Sequence, residues 1–179
     1  MKPKVSIIVL NWNNWEDTIE CLESLYRIDY DNYNIIMVDN GSDDDSVEKI
    51  KEYLKGDLDI DSDFFKFNED IKPLKYVELV EDEYDNLNLE EPFNRGLFII
   101  KNPENYGFAE GNNAGIDFAL RYLKPDYLEI LNNDIVVKED YLDEMVKVIQ
   151  SDSNIGMVGP KIYFYDYKGR KDVQTAMGG

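Results

Sequence analysis

The sequence predicts an α/β fold with a mixed, mostly parallel sheet flanked by helices, and three observations predict it. Short apolar runs, too short for helices, recur at residues 5–10, 35–38, 97–100 and 127–131. Such β-branched runs read as strands buried on both faces, as in parallel sheets. Segments with helical apolar spacing alternate with them. The runs lead into clusters of Asn, Asp or Gly, and open α/β sheets bind ligands just outside the carboxyl ends of their strands.

The first run, Val-Ser-Ile-Ile-Val-Leu, is broken by Asn11-Trp12-Asn13-Asn14. Asn13 and Asn14 are N-cap candidates for a helix whose apolar face is Ile19, Leu22, Leu25 and Tyr26. After a polar turn at 29–34, the second run ends at Asp39-Asn40-Gly41. The aspartates at 43–45 suit a helix start, and Val47, Ile50 and Leu54 continue as its apolar face. Residues 56–95 are crowded with Asp and Glu and read as an acidic surface insertion in a single domain spanning 1–179, with Tyr76–Val80 as an edge strand. The third run opens into a Gly- and Asn-rich loop and a helix with Ile116, Ala119, Leu120 and Leu123 on its apolar face. The fourth runs straight into Asn132-Asn133-Asp134. A helix marked by Leu142, Met145, Val146 and Ile149 follows, then two further expected strands at 155–160 and 161–165, and a flexible ending at 176–179.

The net charge of −19 and pI near 4.2 argue against nucleic acid and anionic lipid as partners, since both attract Lys and Arg. The chain has no histidine, which excludes Ser-His-Asp triads and His-ligated zinc. Its one cysteine, Cys21, falls in a helical stretch without a histidine base, and reads as core. The start shows no signal peptide and no apolar stretch approaches the roughly 20 residues that span a bilayer. A cytoplasmic chain is expected, either free or at the inner face of a membrane.

Four motifs can carry chemistry. Asp39, after a strand and before a glycine turn, can accept hydrogen bonds from a base N–H or a ribose hydroxyl; a turn or helix-cap role is an equal alternative. Asn132-Asn133-Asp134 offers hard oxygens to a metal that bridges phosphates; an Asn-rich turn is the alternative. Gly107, Gly111 and Gly115 can let a backbone approach a ligand, but they form neither a dinucleotide fingerprint nor a P-loop. The carboxylates at 57–63 alternate as in a calcium loop but lack its glycine and glutamate, so a solvated acidic loop is expected. Trp12 can stack on a base or pack in the core, and Trp15 is expected to pack at the helix start.

Four stretches stand in order along the chain: Val5-Ser6-Ile7-Ile8-Val9-Leu10-Asn11-Trp12-Asn13, Val38-Asp39-Asn40-Gly41-Ser42-Asp43-Asp44, Asn105-Tyr106-Gly107-Phe108-Ala109-Glu110-Gly111-Asn112-Asn113 and Leu131-Asn132-Asn133-Asp134. The set resembles the family 2 glycosyltransferases, in particular their rhamnosyltransferase-like branch, over all of the chain except the acidic stretch. The resemblance implies a GT-A fold and inverting transfer of a sugar from a nucleotide-diphosphate sugar, UDP- or dTDP-linked, to a glycan or lipid-linked acceptor. It places Leu10 and Trp12 at the base and ribose pocket, Asp39 on the base, and Asn105, Gly107 and Asn113 around the donor. It sets Asn132 and Asn133 in the donor site too, within the family's Asp-x-Asp position, with Asp134 as the ligand of Mg²⁺ or Mn²⁺. Asn132 departs from the first Asp of that pattern. The family's general base lies beyond the metal motif, so it is expected after Gly179, in a truncated chain. The competing readings are a nucleotide-sugar-binding module without turnover and a sugar-phosphate nucleotidyltransferase. The latter wants a Gly-rich, Arg-containing loop where Asn11-Trp12-Asn13-Asn14 stands.

Overall fold

The computed structural model describes residues 2–80 and 94–175. The acidic residues Glu81, Asp82, Glu83, Asp85, Glu90 and Glu91, and the expected flexible ending at 176–179, lie outside the described residues. Among the described residues five strands form one sheet: β1 (Val5–Asn11), β2 (Tyr33–Asp39), β3 (Tyr76–Val80), β4 (Leu97–Lys101) and β5 (Tyr127–Asn132). Their order is β3-β4-β2-β1-β5, and every described pairing is parallel. The helices are α1 (Trp15–Leu25), α2 (Ser46–Lys55), α3 (Gly107–Phe118) and α4 (Tyr141–Ser151), and a π-helical turn (Ala119–Leu123) extends α3. None of the described helices is long and apolar enough to cross a membrane.

The pleat of the sheet sorts its side chains into two cores. Ile7, Val9, Ile35, Met37, Ile99 and Leu131 face Leu22, Leu25, Ile50, Leu54, Leu142 and Val146 of α1, α2 and α4. Ile8, Ile36, Val38, Phe98 and Ile100 face Phe118, Ala119 and Leu123. β1 and β2 lie inside the sheet and are buried nearly throughout, as their uninterrupted apolar runs require.

The structure corrects several expectations. β5 is an edge strand, so only alternate residues are buried, and Leu128 and Ile130 are exposed. The inward face of α3 is broader than the one expected: Ala119 and Leu123 are buried and Ile116 packs beside them, as expected, and Gly111, Asn112, Gly115 and Phe118 also face inward, whereas Leu120 is 56% exposed. Glycine is the reason. A Cβ on Gly115 would stand 2.8 Å from Ile8 Cγ2 and 3.0 Å from Val38 Cγ2, so its absence lets α3 lie directly on the sheet. Neither expected strand at 155–165 forms. Residues 155–162 are in no ladder, and Tyr163 makes only an isolated bridge to Gln174. These apolar runs are divided by Gly156, Gly159 and Pro160 and remain largely exposed. Asn14 occupies the N-cap of α1 but makes no side-chain cap; its amide donates to Asp17 instead.

The described part of the acidic stretch contributes to the sheet and the core. It supplies the edge strand β3, and Leu58, Ile60, Phe67, Ile71 and Leu74 pack against the α1–α2 core. Its polar anchor is Lys72, whose Nζ lies 3.2 Å from Glu23 on α1 and 3.5 Å from the centre of the Tyr53 ring. Glu23 is fully buried and also accepts from Arg27 Nη2 at 3.0 Å and Tyr53 Oη at 2.9 Å.

A second buried carboxylate, Glu129 of β5, accepts from Tyr141 Oη at 3.1 Å. Burial pushes its pKa up to about 7, against the smaller opposing effect of the Tyr141 hydrogen bond. Because the folded value is raised, the stability this group confers is complete below the unfolded value, near pH 4.5, and is lost as pH rises through about 7. The loss is expected to be on the order of 3 kcal/mol. Glu129→Gln keeps the acceptor for Tyr141 and removes the titration. Urea unfolding at pH 5 and pH 8 should show a smaller decline in the variant than in the wild type; equal declines would rule out Glu129 as its source.

Candidate functional site

The chain crosses from one half of the sheet to the other at β1, with β2 on one side and β5 on the other. Such a reversal opens a crevice at the carboxyl ends of the strands. β1 ends here at Asn11, β2 at Asp39 and β5 at Asn132, and α3 begins here at Gly107.

Asp39 is buried, 3% exposed. Its Oδ1 accepts from Asn11 Nδ2 at 2.8 Å and from Ser42 Oγ at 2.6 Å, and its Oδ2 accepts from the Ser42 amide at 3.2 Å. The carboxylate thus forms the turn as well as standing at the crevice, so both roles open at the sequence level are compatible. Oδ2 carries the lighter load and retains acceptor capacity.

The loop after β4 is held by Asn40. Its Nδ2 donates to Asn105 Oδ1 at 2.9 Å and to the Gly107 carbonyl at 3.2 Å, while its Oδ1 accepts from Asn102 Nδ2 and the Tyr106 amide. Asn105 Oδ1 also accepts from the Gly107 amide, closing a tight turn. Gly107 has φ +79°, and Gly41 has φ +71° with its Cα packed against the Glu104–Asn105 backbone. A Cβ at Gly41 would stand 2.5 Å from the Glu104 carbonyl carbon. These contacts lock the β2 and β4 loops together.

Leu10 is half-buried beneath α3, and a Cβ on Gly111 would meet its Cδ1 at 2.7 Å. Trp12 is 54% exposed just beyond β1, while Trp15 packs against the core, as expected. Asn113 is exposed on α3. Asn132 is exposed and Asn133 half-buried, with Asn133 Nδ2 donating to Thr18 Oγ1 at 2.9 Å. Asp134 is exposed and makes no ion pair among the described residues. It lines a cleft of about 650 Å³ with Trp15, Asp59, Asp61 and Tyr165. Cys21 is fully buried, and burial pushes its thiol pKa far up, so it is inert.

The donor set fits a hard divalent cation shared with a ligand. Asp134 offers a carboxylate, and Asn132 and Asn133 offer amide oxygens. No group of three or more carboxylate or thiol side chains suited to a metal occurs among the described residues, so the remaining positions would fall to phosphate and water.

Sequence reasoning missed the connecting polar residues: Thr18, Ser42, Asn102 and Asn112. Asn102 and Asn112 are 5% and 3% exposed, and each has an amide oxygen without a partner among the described residues. Their orientation is fixed, since Asn102 Nδ2 donates to Asn40 and Asn112 Nδ2 to the Phe108 carbonyl. Unsatisfied buried acceptors are rare, and a ligand N–H or O–H would relieve them. Ser42 and Asn112 lie inside the quoted motifs without a role of their own, Asn102 lies just before one, and Thr18 lies outside them all.

The family model described as Glycosyl transferase family 2 matches residues 6–70 and 77–177. Glycosyltransferase GlyG of Streptococcus pneumoniae serotype 4 (strain ATCC BAA-334 / TIGR4) is 25% identical over 166 residues, covering 93% of this chain and 41% of that protein. Mannosyltransferase PcManGT from Pyrobaculum calidifontis, solved in complex with GDP-Man and Mn²⁺, superposes with a TM-score of 0.57 at 19% identity, over 87% of this chain and 34% of that one. S. aureus TarS 1–349, solved in complex with UDP-GlcNAc, gives 0.54 at 16% identity, over 82% and 31%. The chain therefore spans less than half the length of each of these proteins. The two superpositions show that the parallel sheet and its helices have the same fold as these enzymes. With both segments of the family model matched, from β1 to beyond α4, the chain belongs to glycosyl transferase family 2.

Proposed function

We propose that this chain is the donor-binding part of an inverting glycosyltransferase, one that moves a sugar from a UDP- or dTDP-linked donor to a hydroxyl of a glycan or lipid-linked acceptor at the cytoplasmic side of a membrane. The observation that carries this reading is the convergence of Trp12, Asp39, the Asn105–Gly107 turn and the Asn132–Asn133–Asp134 turn at one carboxyl edge of a parallel sheet. The bound molecules named for TarS and PcManGT, UDP-GlcNAc and GDP-Man with Mn²⁺, support the donor class.

In this reading Asp39 Oδ2 accepts from the base and the exposed Trp12 ring stacks against it. Leu10 floors the pocket under α3, and Asn105, Gly107 and Asn113 shape its wall. Asp134, with Asn132 and Asn133, holds Mg²⁺ or Mn²⁺. None of these residues is cationic and the chain carries a net charge of −19. A diphosphate leaving group would thus meet no compensating side chain among them. A bound divalent cation would supply that charge as a Lewis acid.

Release of nucleoside diphosphate from UDP-, dTDP- and GDP-linked sugars in Mn²⁺, with and without a glycan acceptor, tests the reading. Acceptor-dependent release from one donor supports a transferase. Saturable donor binding without release would support a binding module instead, and no binding of any donor would refute both.

A further inference from the structure

Thr18 connects the two predicted ends of the site. It lies on the first turn of α1 and is fully buried. Its Oγ1 accepts from Asn133 Nδ2 at 2.9 Å and stands 2.8 Å from both Asn11 Oδ1 and the Asn14 carbonyl. One hydroxyl proton cannot serve both acceptors fully. Asn11 is fully buried, and this hydroxyl is the one donor to its Oδ1 among the described residues. The Asn14 carbonyl, by contrast, also accepts from the Thr18 amide and Asn133 Nδ2. Leaving the Asn11 oxygen without a partner is the costlier choice, so the proton belongs to Asn11.

The result is a chain of hydrogen bonds with one polarity. Asn133 Nδ2 donates to Thr18, Thr18 donates to Asn11 Oδ1, and Asn11 Nδ2 donates to Asp39 Oδ1. Every donor is directed toward the Asp39 carboxylate, and members of such a chain polarise one another. The chain also sets the Asn133 amide. With Nδ2 committed to α1, the side-chain oxygen is the polar atom left beside Asp134.

We infer that Thr18 is a positioning residue that couples base recognition at Asp39 to metal binding at the Asn133–Asp134 turn. This inference rests on the donor-site reading above. Burial keeps Thr18 from ligand, so it acts through Asn11 and Asn133. A ligand N–H on Asp39 Oδ2 fixes the carboxylate at one end of the chain, and a cation at Asp134 fixes the turn at the other. Each holds its end in the arrangement that the other end needs, so each should tighten the other, and by linkage the factor is the same in both directions.

The test is calorimetric titration of the full chain with the nucleoside diphosphates UDP, dTDP and GDP, with and without Mn²⁺. The quantity read is the factor by which Mn²⁺ tightens the nucleotide. That factor is expected to fall about fivefold or more in Thr18→Val, with metal-free affinity within about twofold of wild type, and to recover in Thr18→Ser. Asn133→Ala should lower it too, since it removes both the bond to Thr18 and the amide oxygen beside Asp134, and Thr18→Val should have no further effect on the factor in that background. A purely structural role would lower Tm and leave the factor unchanged, which overturns the inference. If Thr18→Val does not fold, Thr18→Ala takes its place against Thr18→Ser, and a wild-type factor in Thr18→Ala overturns the inference. No binding to wild type by any nucleotide removes the donor-site reading and this inference together. Binding with an unchanged factor removes the inference alone.

Discussion

Glu23→Ala is expected to destabilise the protein by about 3–5 kcal/mol, the range for removing one partner of a buried ion pair. Glu23 has a fully buried side chain, and that of Lys72 is only 4% exposed. Burial, outweighing the attraction of Glu23, holds the Lys72 pKa down at about 8. Without Glu23 the ammonium would lose its counter-charge, Tyr53 its acceptor and Arg27 its partner on α1. Arg27 also donates to the Lys66 carbonyl, and Leu74 N bonds Leu54 O at 2.7 Å, so the loosened segment would be the one that leads into β3. Lys72→Met should cost clearly less, because Glu23 keeps Arg27 and Tyr53 while a buried cation is removed. Urea unfolding checks both; a Glu23→Ala loss under about 1 kcal/mol would mean that apolar packing alone holds the segment.

Asp39→Ala and Asp134→Ala are expected to reduce nucleotide binding in different ways. Loss of the Asp39 carboxylate removes a charged hydrogen-bond acceptor, worth about 1.5–3 kcal/mol or roughly 10- to 150-fold in affinity. It does so with or without metal, and it also strips Asn11 and Ser42 of their partner. Loss of Asp134 should leave metal-free affinity near wild type and remove the gain given by Mn²⁺. The exposure of Asp134 and its lack of any described ion pair mean that its removal should barely move stability. Titration of each variant with and without Mn²⁺ checks this. Equal effects of both substitutions in both conditions would refute the separate roles.

The strands that the sequence showed best were the inner ones. Residues 5–10 and 35–38 are apolar on both faces because both faces are covered, and periodicity registers that directly. β5 read as buried because Leu128, Ile130 and Leu131 are all apolar, yet an edge position leaves its second face open. The expected strands at 155–165 had the composition of strands but, among the described residues, pair only through the single bridge of Tyr163 to Gln174, and pairing is a tertiary fact. The inward face of α3 was read only in part, because Gly111 and Gly115 contribute to packing by what they lack, which an apolar tally does not count.

In the proposed site, the strand-end positions of Asp39 and the Asn132–Asp134 turn were legible, and strand ends in an α/β sheet are where ligands bind. Thr18 and Asn11 were not, since a hydroxyl on a helix and an amide at a strand end acquire meaning only when folding brings them within 3 Å of each other.

A thermal-shift panel of UDP, dTDP, GDP and CDP, each with and without Mn²⁺, tests most directly that the carboxyl edge of this sheet is a donor site. A nucleotide at about 100 times its Kd should add about 2.7 kcal/mol of stability, a rise of roughly 5–10 °C in Tm for a domain of this size. The account predicts such a rise with one nucleotide class, larger when Mn²⁺ is present. No shift with any of the four, with or without the metal, would contradict it.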